Sequence, residues 1–299
     1  MPGRLVAPVL LAHANPSKPF FVCLDEMNLA RVEHYFSDFL SIVESRRRQD
    51  GQLVSDPILT QSQLGKIQKD QLAPMAAEAL DSSGASNGPL GLPVNLYFCG
   101  TVNMDETTQP FSRKVLDRAH TLEFNDIDLM QGLDEAPTEA EVPPLDLDQS
   151  FFAPEISSLI DALPKHQAIA REIAEFLSGL NDLLDRAGFE VGYRVRDEAI
   201  SFAVYAGEAG LSAEEIREAI VLQKILPRVQ GSSQRIETLL LALLNKLKSE
   251  SVVPHKDDPD IDDRLLALTT DDEASAVVKK IAGMLHTFRE ETFTSFWLA

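Results

Sequence analysis

Cysteine is nearly missing from the 299 residues: Cys23 and Cys99 are the only two. Two thiols cannot build the disulfide framework of a small secreted domain or a four-cysteine zinc site. Each sits inside an apolar stretch, which fits a reduced, buried side chain. Long hydrophobic runs are lacking too. No stretch of about 18 uncharged apolar residues occurs. Met1 to His13 carries one Arg and no small-residue cleavage pattern. Neither a membrane span nor a secretory signal is supported, and a cytoplasmic location is the default. Basic residues are scarce, with 27 Lys and Arg against 47 Asp and Glu, a formal charge of −20. Non-specific nucleic-acid binding needs clustered cations, so direct binding of DNA or RNA by this segment is not expected.

What is present is enough apolar material, 44% of the residues, for a sizeable core and for two domains. The run Pro19 to Leu24 reads as a strand buried on both faces of a parallel sheet, with Asp25-Glu26 at its C-terminal tip. A second run, Val94 to Val102, ends in Asn103, and a third, His120 to Phe124, follows a helical segment from about Pro110. Strands alternating with helices predict an α/β layer. Leu29 to Arg48 has helical spacing in Val32, Phe36, Phe39, Leu40 and Val43. Arg46-Arg47-Arg48 then reads as a solvated helix end rather than an anion patch, and Asp81 to Gly91 has the composition of a mobile loop.

From Ala119 to Pro164 there is no Lys or Arg, against eleven Asp and Glu. This composition shift, with Pro137, Pro143 and Pro144, marks a solvated linker at 129–150 between domains at 1–128 and 151–299. The third segment is helical. Ile169, Ile173, Phe176, Leu177, Leu180, Leu183 and Leu184 form one stripe ending near Gly188. Further helices are predicted at Asp197 to Ala209, Ser212 to Leu226 with a Ser212–Glu215 capping box, and Gln234 to Ser249. Asp258, Asp260 and Asp262 do not form a calcium loop, because Pro259 intrudes, Asp263 replaces the needed Gly and Thr269 stands at the closing Glu position.

An apolar strand ending in Asp-Glu suits nucleoside triphosphate hydrolysis: the Asp helps to hold Mg²⁺ and the Glu polarises the attacking water. The longer string Phe20-Phe21-Val22-Cys23-Leu24-Asp25-Glu26-Met27-Asn28-Leu29-Ala30-Arg31-Val32-Glu33 closely resembles the Walker B segment of McrB-type AAA+ proteins. Gly100-Thr101-Val102-Asn103-Met104-Asp105-Glu106-Thr107-Thr108 is similar to the same family's sensor 1 segment. Phe111 to Arg118 resembles its arginine-finger region, Glu190 to Glu198 its sensor 2 region, and Lys224 to Ser233 and Phe293 to Trp297 its lid and tail. The resemblance implies an incomplete AAA+ P-loop core, a parallel sheet lacking the P-loop strand, followed by an all-α lid domain. It implies Asp25 at the metal and nucleotide, Glu26 and Asn103 at the lytic water, and Arg118 as the arginine finger with Arg113 in reserve. Arg194 would sense the nucleotide of its own subunit, with Arg196 two positions away. Mg²⁺ with ATP or GTP, a homo- or hetero-oligomeric ring and a nuclease or regulator of the McrC type in a restriction or defence system are likewise implied.

Two departures limit what is carried over. McrB itself follows its sensor Asn with an Asp-Arg pair tied to GTP use, and Glu106-Thr107 stand there instead, so the choice of base stays open. No Gly-x-x-x-x-Gly-Lys-Ser/Thr occurs: Gly65-Lys66 has Thr60 at the first Gly position and Ile67 after the Lys. Without that cradle, weak or no nucleotide binding, exposed apolar faces on the remaining strands and marginal solubility are expected of this chain alone. The favoured expectation is a ring motor that has lost its upstream half. The alternatives are a non-hydrolysing ring subunit that donates Arg118 to a P-loop partner, and a decayed gene product.

Overall fold

A computed structural model describes residues 2–84, 88–104, 109–124, 152, 159–247 and 256–298. The order is α1 (Pro2–Ala14), β1 (Phe20–Leu24), α2 (Val32–Tyr35), α3 (Ser37–Glu44), β2 (Arg47–Gln49), β3 (Gln52–Val54), β4 (Pro57–Leu59), α4 (Gln61–Leu64), α5 (Pro74–Ser82), β5 (Leu90–Gly91), β6 (Leu96–Gly100), α6 (Arg113–Leu116), α7 (Leu159–Ala187), α8 (Tyr193–Glu208), α9 (Ala213–Ile220), β7 (Gln230–Gly231), α10 (Gln234–Leu247), α11 (Ile261–Thr270), α12 (Ala276–Glu291) and β8 (Thr294–Ser295). The protein is mixed α/β, with one small parallel strand pair and a helical C-terminal region. No helix among the described residues is long and apolar enough to cross a membrane. The chain divides into two compact units, 1–23 with 57–99 and 122–154, and 24–56 with 100–121 and 155–299. The expected linker at 129–150 lies outside the described residues.

In the first unit α1 packs with α5, and Pro57–Leu59 pairs antiparallel with Leu90–Gly91. Asn95 is nearly buried, and its side-chain amide donates to the carbonyls of Ala12 (3.1 Å), Asn15 (3.0 Å) and Lys18 (2.7 Å). Ala12 and Asn15 lie at the end of α1, where carbonyls run out of intrahelical donors, and Lys18 lies in the turn that follows. Thr60 is no remnant of a phosphate loop: its hydroxyl accepts from the Gln63 N–H while the Gln63 side chain accepts from the Thr60 N–H, a capping box that opens α4.

Strands β1 and β6 run parallel, with the Phe20 N–H on the Asn95 carbonyl at 2.8 Å and the Thr101 N–H on the Leu24 carbonyl at 3.1 Å. The expectation that β1 is buried on both faces fails. Its exposure alternates along the strand, Phe21 keeps 62% of its surface in water, and Cys23 and Cys99 are exposed. A two-stranded pair offers too few neighbours to cover both faces, which leaves Phe21 and Cys23 in water on one of them. Phe21 instead stacks on Tyr97, with ring centroids 5.2 Å apart.

The helix expected over Leu29 to Arg48 is broken into α2 and α3, and Arg46 to Arg48 is not a helix end. Arg47–Gln49 forms a hairpin with Gln52–Val54 across Asp50-Gly51, both at positive φ (51° and 78°). That conformation is the one a two-residue Asp-Gly hairpin turn requires. The third expected strand, His120 to Phe124, is not a strand: the segment is irregular, and Leu122 and Phe124 are 65% and 88% exposed.

The helical region carries the larger core. Along α7 the buried positions Ala170, Ile173, Leu177, Leu180 and Leu184 follow helical spacing. Pro164 lies inside this helix, and the backbone leaves helical geometry two residues later, at His166. The helix stops at Gly188, φ +78°, where the Phe189 N–H returns to the Leu184 carbonyl at 2.9 Å. The predicted capping box opens α9, with Ser212 accepting from the Glu215 N–H and Glu215 accepting in return. The helix expected from Ser212 to Leu226 widens after Ile220 into a π turn, Val221–Ile225, and Pro227 follows in a short 3₁₀ turn. Gln230–Gly231 pairs with Thr294–Ser295, which seats Phe296 fully buried.

Candidate active site

Both strand tips enter the second unit, where they are joined by one hydroxyl. Thr101 Oγ1 accepts from the Glu26 N–H at 2.9 Å and donates to Asp25 Oδ1 at 2.6 Å. The Met27 N–H adds a 3.0 Å bond to the Thr101 carbonyl. Gly100 permits the close approach, because a Cβ there would meet the Met27 sulfur at 2.1 Å. Asp25 and Glu26 are exposed, and Glu26 sits in the left-handed region at φ 48°, ψ 49°. A non-glycine residue in that region is uncommon, and such strain is retained where surrounding contacts over-determine it.

Asn28 is the brace that the sequence did not single out. It is fully buried, and its amide donates to the Asn103 carbonyl at 3.0 Å and contacts the Met104 sulfur at 3.2 Å. The Tyr35 hydroxyl donates to the Met27 carbonyl at 2.7 Å. The Asn103 residue itself is exposed, while Asp105, Glu106, Thr107 and Thr108 lie outside the described residues.

The arginines form a second constellation. Arg118 and Arg194 both pair with the carboxylate of Glu44, a residue with no sequence signal of its own. The Arg118 side chain is only 11% exposed and also donates to the Lys114 carbonyl. The expectation of an outward-reaching finger at Arg118 therefore meets a cation held within its own chain. Arg196 pairs instead with Asp197 and lies over the Tyr193 ring. Arg113, exposed at the start of α6, donates to the Gly188 carbonyl at 2.7 Å and lies over the Phe189 ring.

Lys224, in the π turn, fixes the Arg118 segment from both sides. Its fully buried ammonium donates to the carbonyls of Asp117 (3.1 Å) and Ala119 (2.9 Å) and pairs with Glu198. Burial lowers the Lys224 pKa, with Glu198 opposing that shift. Beside it, His120 is lowered to about 4, first by desolvation and then by the Lys224 charge, against a raising hydrogen bond from Gln223. Arg228 completes the group, with Nη1 3.1 Å from Asp117 and Nη2 on the Glu190 carbonyl at 3.2 Å.

Chemically, the strand tips offer two open carboxylates on a rigid support. No group of three or more His, Cys, Asp or Glu side chains arranged for a metal occurs among the described residues. Two carboxylates can hold a hard divalent cation when waters or other anionic oxygens complete its shell. No hydrogen bond or ion pair joins these carboxylates to the Glu44 arginines among the described residues.

A family described as "Domain of unknown function (DUF8727)" matches residues 144–293. No curated protein and no solved structure matches the chain.

Proposed function

The chain belongs to the DUF8727 family, and we propose that it is a component of a nucleoside-triphosphate-hydrolysing motor of the McrB-like AAA+ type, in a modification-dependent restriction or defence system. The observation that carries this is the Thr101 bridge, which brings the Asp-Glu tip and the Asn-bearing tip of two parallel strands into one hydrogen-bonded unit. Asp25 would help to hold Mg²⁺ bound to ATP or GTP, which neutralises phosphate charge. Glu26 orients and deprotonates water, and Asn103 donates and accepts at that water. Arg118 and Arg194 supply positive charge toward the phosphates once Glu44 releases them. The phosphate cradle comes from a P-loop outside these residues, within an oligomeric ring that a nuclease or regulator of the McrC type would join.

The test is nucleotide turnover by the chain co-purified with a P-loop-bearing partner from its own source. Turnover of ATP or GTP is expected only for the complex. Glu26→Gln should lower it by about 10²- to 10⁴-fold, the usual worth of a positioned base. Unchanged turnover in that variant, or tight triphosphate binding by the isolated chain, would refute the proposal. The rival role, donation of Arg118 to a neighbour, first requires breaking the Glu44 pair; it predicts that Arg118→Ala alone abolishes turnover while Glu26→Gln does nothing.

A further inference from the structure

The second unit contains a cleft of about 210 Å³ lined by Phe111, Phe189, Trp297, Arg113 and Arg228 among others. Phe111 and Trp297 stand 5.8 Å apart between ring centroids, and the Arg113 guanidinium lies 5.3 Å from the centre of Phe189. The walls thus combine flat apolar faces with two permanent cations.

Arg228 is the informative one. Its side chain is 4% exposed, yet Nε and Nη1 have no hydrogen-bond acceptor, the Asp117 contact being close without hydrogen-bond geometry. Buried N–H groups left open cost free energy that an acceptor would recover, and in native proteins each such group calls for an explanation. Asp117 and Glu190 are the carboxylates that act on this guanidinium, and Arg113 opposes them. Arg113 uses one of its five N–H groups on Gly188.

We infer that this cleft binds a small carboxylate carried on a flat apolar group, the ring of the ligand lying among Phe111, Phe189 and Trp297 and its carboxylate meeting Arg113 and Arg228. The volume sets the size, since pockets for drug-sized ligands run from about 300 to 1,000 Å³; a single ring fits and a whole nucleotide does not. The ligand is therefore not the triphosphate, and the assignment stands independently of the proposed hydrolysis. A free organic acid and the C-terminal carboxylate of a polypeptide present the same chemistry.

Trp297 is the sole tryptophan of the chain and lines this cleft, so its fluorescence responds to a ligand bound there. The full chain, without nucleotide or Mg²⁺, is titrated with benzoate, benzamide, acetate and a tripeptide ending in Phe with a free or amidated terminus. A saturable change is expected for benzoate or the free-acid peptide, with a Kd of about 1 mM or below, in keeping with so few ligand atoms. The uncharged counterparts and acetate should bind about tenfold more weakly or worse, as should benzoate to Arg113→Gln. Tighter binding of the free-acid peptide than of benzoate assigns the source to a polypeptide end; the reverse assigns it to a small acid. No saturable response to either acid, or equal binding of acid and amide forms, overturns the inference. That acid–amide comparison uses the unaltered protein, so it decides the matter even if the variant fails to fold.

Discussion

Replacing Lys224 tests whether the Arg118 segment is held as described. The side chain is fully buried, and its three N–H groups are matched to the Asp117 carbonyl, the Ala119 carbonyl and Glu198. Lys224→Met keeps the apolar stem and most of the volume but leaves two carbonyls and one carboxylate without their donor. Breaking a buried ionic group in this way costs about 3–5 kcal/mol. The lower end applies here, because the Glu198 side chain keeps 31% exposure and regains water. At a urea slope of about 2 kcal/mol/M, a loss of about 3 kcal/mol moves the midpoint down by roughly 1.5 M, read through Trp297 fluorescence. Lys224→Ala should lose more, because a cavity is added. Adding Glu198→Leu to Lys224→Met should recover about 1 kcal/mol or more, since the stranded carboxylate is gone. The sign with pH is a second check. The folded-state pKa of Lys224 lies below its ordinary 10.5, so above that lowered value the unfolded chain holds the extra proton and wild-type stability rises with pH relative to Lys224→Met. A loss below about 1 kcal/mol in Lys224→Met, or a relative stability that falls with pH, would refute the dehydrated, triply bonded ammonium.

Thr101→Val removes the hydroxyl that joins the Glu26 N–H to Asp25; it should cost about 1–2 kcal/mol in chemical denaturation and lower turnover of the complex along with it. Gly188→Ala places a Cβ on a residue at φ +78° and should cost about 1 kcal/mol or more, visible as a lower Tm, while leaving nucleotide turnover intact. For His120, with a folded pKa near 4, the unfolded chain binds the proton first as acid is added. Its contribution is therefore present above pH 6.5 and lost as the pH falls toward 4. Because the ring keeps solvent contact, the effect is smaller than for a sealed group, and His120→Gln should flatten the slope of stability between those pH values; an unchanged slope would remove His120 from the acid response.

Elements whose cause is local were legible in the sequence. The α7 stripe, its stop at Gly188, the Ser212–Glu215 box and the two strands ending at Leu24 and Gly100 each rest on spacing or capping within a dozen residues. The misses came where a distant partner or a competing pattern decided. The helical spacing ends at Val43, and the Asp50-Gly51 pair beyond it favours the two-residue turn on which Arg47–Gln49 and Gln52–Val54 pair. His120 to Phe124 has the composition of a strand, but the Thr121 N–H bonds to Gln223 at 3.3 Å and the segment gains no ladder. The cysteines are exposed because an apolar run guarantees burial only when enough neighbours exist to cover it. In the candidate site, Asp25, Glu26 and Asn103 were found through their motif strings. Glu44 was not, because a single carboxylate at a helix end says nothing of guanidiniums at Arg118 and Arg194 far along the chain.

Although the chain is strongly acidic, its second unit gathers several cations, two of them paired with Glu44. Overall the chain carries −20, yet Arg113, Arg118, Arg194, Lys224 and Arg228 are each assigned contacts in one unit, against Glu44, Asp117, Glu190 and Glu198. Repulsion from the acidic exterior is screened over about 8 Å at physiological ionic strength, so it weakens the approach of an anion more than its final binding. Inside that distance the half-buried pairs dominate, because the effective dielectric there is lower than in water. Under the proposed function, the carboxylate shared between the two guanidiniums is the group that an incoming phosphate would displace. Glu44→Gln should therefore loosen Arg118 and Arg194 without removing either cation. In the complex with a P-loop partner it should tighten triphosphate binding, measured as a Kd for a non-hydrolysable analogue lowered by about two- to fivefold, in proportion to the loss of a competing anion worth about 1 kcal/mol or less. A weaker or unchanged Kd would mean that Glu44 orients the arginines for the nucleotide instead of competing with it.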